Sequence, residues 1–486
     1  MLPLSNLQRA AKEALAYVSA QPDVAEVEVF ASADTNLTCR LNYTSHIPSN
    51  GLEEPKSLAN IGVGIRAVFN REGTRLIGFG SEASDISETG VRSALEKARE
   101  SAIIDPEFVS LPKASDTPTV KSPYHDARVL KLAQSDLTDA GWSVIEGALN
   151  VFESSEELLG AAGDRNRLAQ LGLIIGGDVT MLQERIAIAS SDMPAVQSDE
   201  STLTMAFITA MIEKEAAKGG GWAAGRGLDV DFAAAGREAA ESAIRSIRGN
   251  RVDGGTYDII LGPYAVTDIL NHLVLPVLGL ELFYASATPF LGRLGQRIGS
   301  SGLNVYDDGA APGLAATKRI TSEGLPTGRT DLIRDGILVG LLSNHYETQR
   351  IFQDVDAEKK LGAAPSQHID GLAPRSGFRF ARGGGRHFDA IPGTSPTNVV
   401  IRGDDSLPLE ELVKRVGDGL YIGRIWYTYP INGISAGDFT CTVIGDSFRI
   451  RNGRMAEPIR ANTLRINDSI HNVLGNLIGI GSKQRA

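Results

Sequence analysis

Histidine and cysteine decide whether a chain can hold a transition metal, and this 486-residue chain has seven of the first and two of the second. The imidazoles are His46, His125, His272, His345, His368, His387 and His471. A helix offers two of them to one zinc ion when they stand four or five residues apart on one face. No pair has either spacing, and the nearest two, His368 and His387, are nineteen apart. Cys39 and Cys441 form no Cys-x-x-Cys, are too few for a disulfide framework, and read as small buried hydrophobes. His272 lies in the apolar run Leu270–Leu280 and reads as a hydrogen-bonded packing residue. His345, in Asn344–Arg350 after a strand, reads either as an ordinary solvated residue or as one placed for a polar functional role.

Other chemistry-bearing patterns resolve into structural ones. Gly433-Ile434-Ser435-Ala436-Gly437 matches the nucleophile-elbow pattern of serine hydrolases. That elbow requires a helix directly after the serine, whereas Asp438–Val443 reads as a strand, and only His471 lies downstream. The segment is therefore expected to be a turn or bulge entering a strand. No Gly-Lys dipeptide occurs, which excludes a phosphate-binding P-loop. Gly62-Val63-Gly64 falls inside a strand instead of at a strand-to-helix turn, so its glycines imply close packing and not phosphate contact.

The composition describes what must position these residues. Hydrophobic residues make up 42% and charged residues 22%, the balance of an ordinary globular protein and not of a disordered, collagenous or coiled-coil chain. Aromatics are only 6%, so the core is expected to be aliphatic. A net charge of −11 argues against a nucleic-acid partner. Arg9, Lys12 and Glu13 interrupt the N-terminal stretch, so no signal sequence is expected, nor is a membrane span. A cytoplasmic location is expected.

Periodicity predicts a helix over 5–20, strands near Ala25–Val29, Leu37–Leu41, Ile61–Phe69 and Arg75–Phe79, and a helix from Ser87. Pro106–Pro123 reads as a boundary loop. Residues 128–160 read as helix, with Trp142, Ile145 and Leu149 on one face. Strands follow at Leu171–Ile175, Met181–Ile188 and Leu203–Ile212, then a glycine-rich connector at Lys218–Gly227 and a helix over Leu228–Arg248. Further on come a strand at Tyr257–Leu261, a helix from Tyr264 to Val277, short strands between Leu303 and Leu342, and a mobile loop at Gly383-Gly384-Gly385. A short helix follows at Leu407–Val416, capped by Ser406. Strands at Leu420–Tyr427, Phe439–Val443 and Ser447–Ile450 come next, with turns at Gly445-Asp446 and Asn452-Gly453, and a last helix lies near Asp468–Leu474. The fold class is α+β. The expected organisation is an N-terminal α+β domain over 1–110, a middle helix and strand domain over 120–250, and a mainly antiparallel β domain over 251–486.

Four segments carry a family resemblance. They are Ile61–Val68 with Gly78-Phe79; Gly299–Gly309; Glu323-Gly324-Leu325-Pro326-Thr327 with Leu332–Leu338; and Gly437-Asp438-Phe439 with Phe448–Gly453. Together they span nearly the whole chain and resemble, in order, the TldD/PmbA family, whose members include the modulator-of-gyrase peptidases. In that family the TldD-type subunit carries HExxxH on the helix that corresponds to Tyr264–Val277. With His272 in the first His position, Leu273 replaces the glutamate and Val277 the second histidine. No residue after Ile478-Gly479-Ile480-Gly481 matches the C-terminal cysteine of the metal-bearing subunits, and Thr321-Ser322 replaces a common acidic pair.

The resemblance therefore points to the PmbA/TldE-like branch. It implies a two-part, dimeric α+β architecture with a shielded interior that admits unfolded peptides. This chain would bind no cofactor, and zinc would sit on a TldD-like partner subunit bearing HExxxH. It implies a non-catalytic subunit of a cytoplasmic peptidase that contributes chamber walls and backbone edges for peptide, with His272 marking a degenerate metal position. The candidate peptide contacts are His345, Tyr346, Asn432, Ser435 and Asp438. Two other readings stay open: a divergent zinc peptidase or amide hydrolase in which His272, His345, Cys441 and nearby carboxylates converge, and a homodimeric peptide-binding protein without hydrolysis. None of the readings involves a membrane or nucleic acid.

Overall fold

A computed structural model of the chain describes residues 2–47, 49–113, 124–380 and 385–485. The first half builds one six-stranded antiparallel sheet. Its strands are β1 (Val24–Thr44), β2 (Lys56–Arg71), β3 (Thr74–Ala83), β4 (Leu173–Ser190), β5 (Gln197–Ile212) and β6 (Ala217–Gly225), in the order β3-β2-β1-β4-β5-β6. β1 runs for 21 residues and fuses the two strands expected at Ala25–Val29 and Leu37–Leu41. β4 likewise fuses two expected strands through Gly176-Gly177. β1 pairs with β2 on one edge and with β4 on the other, so residues of 1–110 and of 120–250 share one sheet. Of the boundary loop at Pro106–Pro123, residues 114–123 lie outside the described residues, as do Gly383 and Gly384 of the expected mobile loop.

Strand alternation divides this sheet into two faces. On one face Val27, Val29, Ala31, Val63, Ile65 and Ala67 pack under α1 (Leu4–Ser19) and α2 (Glu88–Glu100). Further along the same face, Cys39, Leu41, Ile175 and Ile208 pack under α3 (Gln134–Ser154), α4 (Glu156–Ala162) and α5 (Phe232–Arg245). Trp142 does not join that core. It is exposed on α3 with its ring against Gly51, while Leu137, Val144, Ile145 and Phe152 form the buried stripe. The glycine-rich Lys218–Gly227 is mostly strand β6 and not a connector. Its glycines let α5 lie on the strand: a Cβ at Gly221 would stand 2.0 Å from the carbonyl oxygen of Ala235.

The second half carries two smaller sheets. One joins Ile337–Leu338, Arg329–Arg334, Leu303–Asp308 and Val399–Gly403 in that order. The other joins Arg454–Pro458, Asp438–Arg451, Gly419–Pro430 and Ile259–Leu261, and Arg465–Ser469 also pairs with Asp438–Arg451. Gly445-Asp446 is not a turn: it lies inside Asp438–Arg451, at a register shift opposite Arg424/Ile425, with Asp446 at φ 45. Asn452-Gly453 is the expected hairpin turn, with φ 48 and 68. The helix Leu409–Val416 follows Pro408, and Ser406 belongs to a short strand instead of capping it. The helix His345–Gln353, which periodicity did not reveal, is capped by Asn344, whose side chain accepts from the Glu347 amide.

The second half docks on the helix-free face of the large sheet. Phe30, Ile186, Ile188, Ile320 and Phe388 form the apolar part of this seam. Gly62 and Gly64 face it bare: Cβ atoms there would stand 2.6 Å from the Phe388 ring and 2.2 Å from its carbonyl oxygen. The close packing read from Gly62-Val63-Gly64 is thus a contact between the halves.

Candidate functional site

The helix on which a family zinc motif would stand runs from Pro263 to Val277, with a π-turn at Leu270–Val274. Such turns recur at functional sites because they push a side chain out of the helical register. His272 sits in this turn with a side chain that is 56% exposed, so it is not the packing residue its apolar neighbours suggested. Its Nδ1 lies 2.9 Å from the Asp268 carbonyl oxygen and 3.9 Å from Asp268 Oδ1. Leu273 and Val277 are buried in the core of the second half. In the register expected from sequence, the base and second-ligand positions therefore point into the core, away from His272.

Burial raises the Asp268 carboxyl above its ordinary range, and Asp268 Oδ2 accepts from Thr428 Oγ1 at 3.2 Å. Thr428 lies in a bulge of Gly419–Pro430, where Tyr427 has φ 48, a left-handed backbone rare for an aromatic residue. Cys441 is buried on the neighbouring strand, and burial pushes its thiol up to about 12, which leaves it a poor nucleophile or ligand at neutral pH. A catalytic zinc needs three protein ligands and an open position. One imidazole and one carboxylate do not meet that need. Among the described residues no three His, Cys, Asp or Glu side chains converge to hold a metal.

Three of the candidate peptide contacts share one hairpin tip. Asn432 Nδ2 donates to Asp438 Oδ2 at 3.1 Å, closing the turn that Ser435 tops within Ile434–Ala436. Strand Asp438–Arg451 follows at once, so no helix backs Ser435 and the elbow geometry is missing. Trp426, Tyr427 and Tyr429, on the strand that leads into the tip, are exposed. That strand pairs with Ile259–Leu261 only through Leu420–Ile422, and beyond this point no strand among the described residues pairs with the same edge. Unpaired backbone beside exposed aromatics is a geometry that accepts an added strand.

His345 and Tyr346 stand elsewhere, at the start of their helix, and share no hydrogen bond with the hairpin tip or with His272. The backbone N–H of His345 donates to Glu323 Oε2 at 3.0 Å, and its Nε2 lies 3.2 Å from the Ser110 carbonyl oxygen. Burial, helped by the Arg66 charge, pushes the imidazole down to about 4, so it is neutral at neutral pH. Tyr346 donates from its hydroxyl to Asp105 and Glu107, at 3.1 and 3.4 Å. Both residues thus tie the 105–110 segment to the helix.

Sequence reasoning missed the charged groups buried between the two halves. Glu323 is fully buried with Oε1 unpartnered, and burial pushes its carboxyl up to about 7. Glu28 on β1 bonds Arg66 at 2.9 Å and also pairs with Arg379. Glu184 on β4 and Asp199 on β5 pair with Arg386 at 2.7 and 2.8 Å, and Lys318 Nζ lies 2.6 Å from Ser201 Oγ. The available signal was an ionisable residue interrupting an apolar strand, such as Arg66 within Ile61–Phe69.

Comparison with known proteins agrees with this architecture. Residues 254–486 match the model of the PmbA/TldA metallopeptidase C-terminal domain. A metalloprotease of Synechocystis is 27% identical over 244 residues, which cover 50% of this chain and 46% of that protein. The metalloprotease PmbA of Escherichia coli O157:H7 is 26% identical over 227 residues, 46% of this chain and 40% of that protein. The chain thus spans less than half the length of either relative. The crystal structure of TldE from Thermococcus kodakarensis superposes with a TM-score of 0.73 at 17% identity, covering 99% of this chain and 94% of that one.

Proposed function

For a chain that belongs to the TldD/PmbA metallopeptidase family, we propose the role of a PmbA/TldE-like subunit that handles peptide but does not hydrolyse it. It works in a cytoplasmic peptidase whose zinc, water-activating glutamate and hydrolysis belong to a TldD-like partner bearing HExxxH. Unfolded peptides are the substrates. The observation that carries this reading is the helix Pro263–Val277: a single exposed imidazole, with Leu273 and Val277 in the core. The raised thiol of Cys441 counts against an atypical hydrolase assembled around it. No helix among the described residues is long and apolar enough to cross a membrane. This chain's part is to offer peptide the strand edge and aromatic side chains of Gly419–Pro430, beside the Asn432–Asp438 tip.

The test has two arms. Affinity purification from the native host is expected to bring down a homologue carrying HExxxH. The chain purified alone is expected to hold no stoichiometric zinc and to cleave no unfolded peptide. Stoichiometric zinc together with peptidase activity in the lone chain sinks the non-catalytic reading, and the absence of such a homologue sinks the partnership.

A further inference from the structure

The outer face of the four-stranded sheet carries a feature at odds with the rest of this acidic chain. A cleft of about 360 Å³ opens over Tyr306, lined by Arg329, Arg334 and Arg402. The Arg329 guanidinium stacks on the Tyr306 ring, 3.7 Å from its centroid, and Arg402 stands 5.9 Å from the same centroid. Asp331 is shared by two of the cations, accepting from Arg329 at 2.7 Å and from Arg334 at 2.5 Å. The other carboxylate of the cleft, Asp404, accepts from Asn304 at 2.9 Å and pairs with no arginine. Arg402 has no ion-pair partner among the described residues, so the cleft keeps an uncompensated guanidinium while the chain as a whole carries −11.

Arg329, which lies on the ring, spends its N–H edge on Asp331, whereas Arg402 stands beside the same ring with no carboxylate partner among the described residues. A guanidinium with a free N–H edge receives a carboxylate bidentately. The volume lies at the lower end of what small-ligand sites offer, room for one or two side chains and not for a folded partner. We propose that this cleft binds an acidic side chain of a peptide, with Arg402 as the primary contact and Tyr306 as the floor. The inference rests on the peptide-handling role above and narrows it to acidic peptides.

The experiment measures fluorescence-anisotropy binding of the full chain to three labelled unstructured peptides of equal length, rich in Glu, Gln or Lys, with inorganic phosphate as competitor. The Glu peptide is expected to bind most tightly. Arg402→Ala is expected to weaken it about tenfold, the size of one charge-assisted hydrogen bond, and to leave the Gln peptide unchanged. Equal binding of Glu and Gln peptides, or Glu-peptide binding that Arg402→Ala does not alter, overturns the cleft while leaving the peptide-handling role standing. Phosphate binding that depends on Arg402, with no peptide bound, overturns both and leaves a site for free oxyanions.

Discussion

His272 is the only imidazole on the helix that would carry a family metal motif, and its side chain is more than half exposed, with Nδ1 held 2.9 Å from the Asp268 carbonyl oxygen. His272→Leu is expected to change the unfolding free energy by less than about 0.5 kcal/mol, as for other exposed sites. Urea denaturation checks this, and a loss of several times that size would restore the packing role. Glu323 behaves in the opposite way. Its carboxyl, raised to about 7 from an ordinary 4.5, holds its proton more tightly in the folded chain than in the unfolded one. Its contribution to stability is therefore full below pH 4.5, falls as pH rises to about 7, and is flat above. His345, lowered from 6.5 to about 4, gives the reverse slope, regaining stability as pH rises between those values. Because the two slopes overlap, only a single-site change isolates either. Glu323→Gln should gain on the native chain by up to about 3 kcal/mol between about pH 5 and about pH 8. Urea midpoints at the two pH values give the difference, and one that does not vary with pH would mean that Glu323 ionises normally.

At the scale of elements, β6 and α5 meet backbone to backbone. Cβ atoms at Gly219 and Gly221 would stand 2.2 Å from the Ala243 nitrogen and 2.0 Å from the Ala235 oxygen. Neither neighbour is the end of a flexible side chain, so Gly221→Ala must displace the helix, at a cost of about 1–3 kcal/mol. Gly220 faces the other way, where an added Cβ would meet the Arg424 guanidinium at 2.1 Å. That side chain can shift, so Gly220→Ala should cost clearly less. Thermal midpoints of the pair check the ordering, and equal losses would count against the helix as the obstacle. The same contact explains why Lys218–Gly227 looked like a connector: glycine is rare inside strands unless another backbone approaches closely, and the approaching helix is not visible in the local sequence.

At the scale of the whole molecule, two halves meet across a face that is as charged as it is apolar. Arg379 and Arg386 rank among the largest fully buried side chains, and each reaches carboxylates on the large sheet. Burial alone would raise the Glu184 carboxyl, but Arg386 and Lys318 hold it below the usual carboxylate range. A buried pair of this kind stabilises little in itself, yet removing one partner strands the other. Arg386→Ala leaves Glu184 and Asp199 without their shared cation and is expected to cost about 3–5 kcal/mol. A single cooperative urea transition at lower midpoint is the expected record. An unchanged midpoint would mean that the seam does not depend on this pairing.

By itself the sequence determined the α+β class, most helices and strands, the Asn452-Gly453 turn and the strand character of Asp438–Val443, because alternation and helical spacing are local properties of the chain. It also determined that no HExxxH exists and that the histidines lack zinc spacing. The fusion of strand pairs into β1 and β4 was beyond it, since a long strand is held by its neighbours and not by its own pattern. Only the tertiary structure decided that His272 faces solvent while Leu273 and Val277 face the core, because the π-turn changes which side chains share a face. The same holds for His345, whose neutral imidazole is set by burial beside Arg66, a residue nearly three hundred positions away. Contacts of that separation are fixed when the halves close on one another, and no spacing along the chain encodes them.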